Sequence, residues 1–180
     1  MKKLFILFFL ISASAEFGQD TLETIASGGI GYGSISSNSP AVGAMAFHIS
    51  LSQEVGFLPF RLKASYTYQR DPEYFLPMSE TTKLYYSYMQ IINIGAELFQ
   101  IVNDYVSFSE YFAYSSVYDE VFEGLDNWAN GIMFSAEIGF LKKTSPLWFS
   151  TGFNYGLTFD KNRPDFNDFY IKVNYSFGRI

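Results

Sequence analysis

The 180 residues include no cysteine. No disulfide can staple this fold, so an exported form must gain its stability in another way. Positive charge is scarce as well, with 12 Lys and Arg against 18 Asp and Glu. Without Lys2 and Lys3 the balance is 10 against 18, a net of −8. That excludes the basic surface a nucleic-acid partner demands. A long apolar run is missing too. A spanning helix needs about 20 apolar residues, and no stretch after the first dozen supplies them. What the chain has in excess is aromatic rings, 20 Phe and 14 Tyr. Rings with a polar tip suit the two interfaces of a bilayer.

The first 15 residues have the form of a secretion signal. Lys2 and Lys3 precede the apolar stretch Leu4 to Ile11, and Ala13-Ser14-Ala15 offers a small-residue cleavage site. A mature chain starting at Glu16 is expected. The apolar stretch is too short to anchor as a helix.

After that segment the dominant pattern has period two. From Phe169 the odd positions read Phe169, Ile171, Val173, Tyr175, Phe177; the even ones read Tyr170, Lys172, Asn174, Ser176. Such alternation puts one set of side chains on each face of a strand. Eight stretches of this kind are expected, near 24–35, 42–55, 60–70, 83–99, 104–118, 128–141, 147–159 and 167–178. The first is rich in glycine (Gly28, Gly29, Gly31, Gly33), which suits a strand that bends. A phosphate loop would need a following Gly-Lys-Ser/Thr and a helix, and neither follows. In the fourth stretch Lys83, Ser87, Asn93 and Glu97 share the inward parity, and Gln90 interrupts the outward row. Glu110 also has the outward parity among apolar neighbours. A carboxylate facing lipid is costly away from the interface, so a bulge that re-aims it is one expectation.

A soluble barrel of the lipocalin type would turn the apolar stripes inward and fold without detergent. A membrane barrel turns them to lipid and satisfies its backbone by closure. Connections two, four and six are tight, while those at 70–82, 118–127 and 160–167 are longer. That asymmetry marks outer-membrane barrels, with short turns and both termini on the periplasmic side.

In this architecture the chain resembles the small eight-stranded outer-membrane barrels, the OmpX, OmpA-barrel and opacity-protein type, over its whole mature length. The resemblance implies an all-β, eight-stranded antiparallel up-and-down transmembrane barrel over 16–180, with no enzymatic activity and no cofactor or metal. It implies contact with outer-membrane lipid and lipopolysaccharide. It also implies insertion by the barrel-assembly machinery, which reads an aromatic-ended last strand; Val173, Tyr175 and Phe177 are similar to that signal. The ending Gly178-Arg179-Ile180 departs from it.

Three groups of residues are candidates for function. Glu54, Arg61, Lys63, Glu97, Glu137 and Lys172 share the inward parity. In a barrel just wide enough for side chains, they form a plug of paired charges or else line a narrow ion path. Tyr74, Phe75, Tyr118, Phe122 and Phe166 fall in the longer loops and suit a partner or surface glycan. The acidic residues Asp119, Glu120, Glu123 and Asp126 do not match EF-hand spacing and suit a solvated loop. Finally, His48, the single histidine, stands two residues before Ser50. A His-x-Ser pair is similar to that of outer-membrane lipid A deacylases, where serine and histidine act in acyl transfer. Here the pair points inward, lies on the second strand and is followed by Leu51-Ser52. The leading expectation is a structural or interaction scaffold displaying its loops; a small-solute or ion pore comes second and lipid A hydrolysis third.

Overall fold

The computed structural model describes residues 23–37, 40–56, 58–77, 83–122, 124–140, 145–160 and 164–177. The expected signal segment, the start at Glu16 and the ending 178–180 lie outside these residues. Eight strands form: β1 (Thr24–Ser36), β2 (Val42–Glu54), β3 (Arg61–Arg70), β4 (Tyr88–Ile101), β5 (Val106–Phe122), β6 (Leu125–Phe140), β7 (Leu147–Thr158) and β8 (Asp165–Phe177). Each pairs with the next, all antiparallel, and β8 closes on β1. Closure leaves no strand edge along the wall, which is what a lipid environment requires.

The ladder also fixes the stagger. Paired residues run from Glu110 through Ala136, Phe153, Phe169, Tyr32, Met45, Arg70 and Tyr88 back to β5 at Glu120. One circuit therefore advances ten residues (120 − 110). With ordinary strand spacings, eight strands and that stagger give a tilt of roughly 40°. The resulting interior is narrow enough for side chains to fill.

Alternation sets the two faces. Ile30, Ile49, Leu62, Phe112, Ile138, Phe149 and Ile171 are all exposed on the outer wall. Their inward neighbours, such as Lys63, Tyr111, Glu137, Ser150 and Lys172, are buried. A contiguous apolar outer wall of this kind is foreign to a soluble monomer. The lipocalin-like arrangement, with apolar side chains inside, is thus inverted here.

At one end lie the start of β1, the end of β8 and the facing ends of β2 and β3, β4 and β5, and β6 and β7; this is the terminal end. The turn after β4 is set by Asn103, whose Oδ1 accepts from the amides of Tyr105 and Val106 at 2.9 Å each. The opposite, loop end carries the facing ends of β1 and β2, β3 and β4, β5 and β6, and β7 and β8. There Asp71 caps the 3-10 turn Pro72–Phe75 by accepting from the Glu73 amide at 3.0 Å.

Four expectations need correcting. First, β4 begins at Tyr88, not near 83, because its partner β3 ends opposite it at Arg70. Lys83 is therefore no inward strand residue. It is half-exposed and bridges Asp71 (2.8 Å) and Glu73 (2.9 Å), which hold its ammonium above the usual lysine range, chiefly by hydrogen bonding. Second, 118–127 is not a loop. β5 and β6 pair out to Phe122 and Leu125. Gly124, at φ 72°, supplies the left-handed residue a tight turn needs. Tyr118 thus stands on the outer wall, and Asp119 is buried. Third, Phe166 lies on β8 and is only 2% exposed. Its ring fills the space that a side chain at Gly156 would occupy. Fourth, no bulge re-aims Glu110. It pairs regularly with Leu98 and Ala136, and the one register shift of β5 lies at Asp119/Phe122.

Candidate functional site

The lumen is layered. At the terminal end Arg61 bonds Glu23 and Glu54, the latter at 3.2 Å, and its guanidinium lies 4.1 Å over the Phe99 ring. Glu23 also accepts from Ser176 Oγ at 2.7 Å. A cleft of about 220 Å³ opens beside Glu54, Arg61 and Phe99. Above it Lys63 pairs with Glu97, which accepts from Ser52 Oγ at 2.5 Å. Next come Glu137 and Lys172, 3.7 Å apart. Glu137 accepts from Tyr170 at 3.0 Å, and Lys172 sits 3.8 Å over the Tyr170 ring. A cavity of about 10 Å³ between Lys63, Glu97 and Glu137 has room for about one water.

The structure brings together all six charged residues read from the alternation, but in three separate groups. It adds partners the pattern reading missed. Glu23 lies one step before β1, on the inward parity of Ile25. Asp168 lies two residues before Tyr170, on the same inward row. Extending each alternation by one period would have found both.

His48 occupies the next layer. Nε2 stands 2.8 Å from Asp168 Oδ2, and Nδ1 is 3.0 Å from Thr67 Oγ1. Asp168 Oδ1 accepts from Gln69 Nε2 (3.1 Å) and Asn154 Nδ2 (3.2 Å). Ser50 takes no part in these contacts, so His48 and Ser50 form no nucleophile–base pair. The imidazole is buried against the Tyr170 ring, 5.2 Å away, and points away from any lipid.

Nearest the loop end the lumen changes character. Ile35, Ala44, Met89, Ile91, Val117, Ala129 and Phe166 form one buried apolar cluster, reaching down to Tyr111, Ala113 and Met133. A wholly polar plug was expected. Alternation alone assigns faces, and here apolar side chains share the inward face with buried Gln69 and Asp119, which pair across the ladder with Met89.

The outer wall at the loop end carries linked rings: Tyr68–Tyr88, Tyr88–Tyr118 and Tyr118–Trp128, with centroids 5.2–6.1 Å apart. Tyr74 and Phe75 stand exposed on the 3-10 turn. Phe75 leans back onto Phe47 of β2 at 5.8 Å. These two residues therefore lie against the outer wall. The side chain of Phe122 lies outside the described residues, as does Glu123. Among the described residues no group of His, Cys, Asp and Glu could hold a metal.

No protein-family model matches this chain, and no curated protein sequence does. Solved structures do. Neisserial surface protein A (NspA) superposes over 89% of this chain and 99% of its own, at 12% identity and a TM-score of 0.63. Ail, the attachment invasion locus protein of Yersinia pestis, superposes over 86% and 98%, at 12% identity and a TM-score of 0.55. At such identities the likeness is one of fold: the chain has the fold of the small eight-stranded outer-membrane barrels.

Proposed function

We propose that this chain is an outer-membrane barrel acting as a closed scaffold that presents its loop end to the cell exterior. Residues 1–15 serve as the secretion signal, the mature chain 16–180 forms the barrel, and both termini face the periplasm. Val173, Tyr175 and Phe177, exposed along β8, serve recognition by the barrel-assembly machinery.

The observation that carries this reading is the filled lumen. Charges are paired through its lower layers and an apolar cluster caps them. An ion would have to break several buried pairs and then cross the cluster around Met89, Ile91 and Phe166. What the protein offers to other molecules is therefore its outer surface. In planar bilayers the refolded barrel is expected to give no discrete conductance steps. Steps that change when Lys63 or Glu97 is neutralised would establish the pore instead.

Lipid A hydrolysis lacks a site. The histidine is enclosed by Asp168, Thr67 and Tyr170 on the inner face, whereas acyl chains run along the outer one.

The loop end presents acidic side chains, with Glu73 and Glu120 half-buried and Asp126 and Asp160 exposed. One Ail structure is described as a complex with the heparin analogue sucrose octasulfate. An acidic rim repels such a polyanion, so a neutral or basic partner fits this chain better. Orientation is directly testable because the chain lacks cysteine. On intact cells, Asp126→Cys is expected to react with a membrane-impermeant maleimide. Asp104→Cys, in a terminal-end turn, is expected to react only after the envelope is opened. The opposite result would invert the barrel.

A further inference from the structure

Charge pairing singles out one residue. Five cations lie among the described residues: Arg61, Lys63, Arg70, Lys83 and Lys172. Four have a carboxylate partner within 3.7 Å. Arg70 has none, and it is the one described cation on the lipid-facing parity of a strand. It ends β3 at the loop end, paired across the ladder with Met45 and Tyr88.

Its surroundings hold the guanidinium in place without neutralising it. Nη1 donates to Tyr68 Oη at 2.6 Å. The Tyr74 ring lies 3.5 Å from the guanidinium carbon, and the Tyr88 ring 5.2 Å from it. Nε has no hydrogen-bond partner among the described residues. The Glu120 carboxylate, across the ladder from Tyr88, accepts from Tyr88 Oη at 2.6 Å. Asp71, next in sequence, is engaged by Lys83 and the Glu73 amide. A guanidinium stacked on rings keeps its fork of donors oriented, and that fork matches a phosphate.

We infer that Arg70, framed by Tyr68, Tyr74 and Tyr88, binds the phosphate ester of a lipid headgroup in the surrounding leaflet. No carboxylate among the described residues supplies the anion. The site continues the apolar outer wall and stands in its aromatic girdle, the level at which headgroups lie. Phe75, seated on Phe47, and exposed Leu76 extend the apolar surface beside it. Lipid therefore reaches the guanidinium from below, with its acyl chains along the wall.

The inference rests on the membrane reading above, and one experiment separates the two. The full barrel is refolded into neutral-detergent micelles and its boiled and unboiled gel mobilities are compared. Phosphatidic acid or the phosphate-free diacylglycerol of the same chain length is then added, and bound lipid is counted by native mass spectrometry. Wild type is expected to retain phosphatidic acid in preference to diacylglycerol. Arg70→Gln is expected to lose that retention by roughly tenfold, the size of a charge-assisted bond. Arg70→Lys, which keeps the charge without the fork, should fall between them. Equal retention of both lipids, or by wild type and Arg70→Gln, would overturn the site. Displacement by inorganic phosphate at matching concentration would assign it to a soluble anion and overturn the lipid. If Arg70→Gln fails to fold, Arg70→Lys decides: full retention overturns the fork. Absence of a mobility shift in wild type would count against the membrane barrel itself.

Discussion

Replacing Lys63 by methionine is expected to destabilise the folded barrel by about 3–5 kcal/mol, the usual cost of stranding one member of a buried ion pair. Lys63 and Glu97 are both buried, and their carboxylate–ammonium contact faces the lumen, not water. Methionine keeps most of the stem volume but leaves the Glu97 carboxylate with only the Ser52 hydroxyl. Among the described residues no other cation bonds Glu97. Lys172 is engaged with Glu137, and Arg61 with Glu23 and Glu54. The Lys63 ammonium also lies 5.0 Å from the centre of the Tyr111 ring, so part of the loss is a cation–π contact. Urea unfolding in lipid vesicles, followed by tryptophan fluorescence, would measure it. The double variant Lys63→Met/Glu97→Leu should recover much of the loss, since neither charge is then stranded. If the single and double variants lose equally, the pair carries no special weight. The loss would then be one of volume.

That pair was legible in the sequence because alternation assigns faces with little ambiguity. Lys63 and Glu97 share the inward parity, and an eight-stranded wall forces inward charges together. Two kinds of feature were not legible. One is the point at which a strand stops. Polar alternation runs on through Lys83 and Leu84, yet a strand needs a partner, and β3 has ended by then. Acidic composition hid the opposite case. Asp119 and Glu120 look like loop residues, but Gly124 allows a tight turn and β5 continues through them. The other is height along the barrel. Period two tells inside from outside but not how far up the wall a residue stands. The apolar cap of Ile35, Met89, Ile91 and Phe166 therefore did not stand apart from the polar layers below it. Phe166 is the clearest instance: its place depends on the empty space at Gly156, across the β7–β8 ladder. The stagger of ten residues has the same character. It is a property of the whole ring of pairings, and no single strand carries it.

The seam between β1 and β8 carries the second large effect, because closure is the last step that removes a strand edge. Gly33 pairs with Asp168 there. A Cβ at Gly33 would collide with the carbonyl of Asn167 and the Cα of Asp168, both backbone atoms that cannot turn aside as a side chain could. Overpacking a well-fitted site costs about 1–3 kcal/mol and more where the backbone must move. At this seam the movement would separate the two strands and loosen Asp168, which holds His48, Gln69 and Asn154. Gly33→Val is therefore expected to abolish most of the fast-migrating, unboiled band after refolding into micelles, while the boiled band is unchanged. Gly28 is the matched control on the same strand. A Cβ there meets only the His48 carbonyl oxygen at 3.9 Å, an ordinary contact, so Gly28→Ala should fold as wild type does. Equal folding of the two variants would mean that the seam has slack, and that glycine at Gly33 serves strand bending more than close approach. Loss confined to Gly33→Val would locate the tightest point of closure beside the buried His48–Asp168 pair, tying the polar lumen to the joining of the first strand to the last.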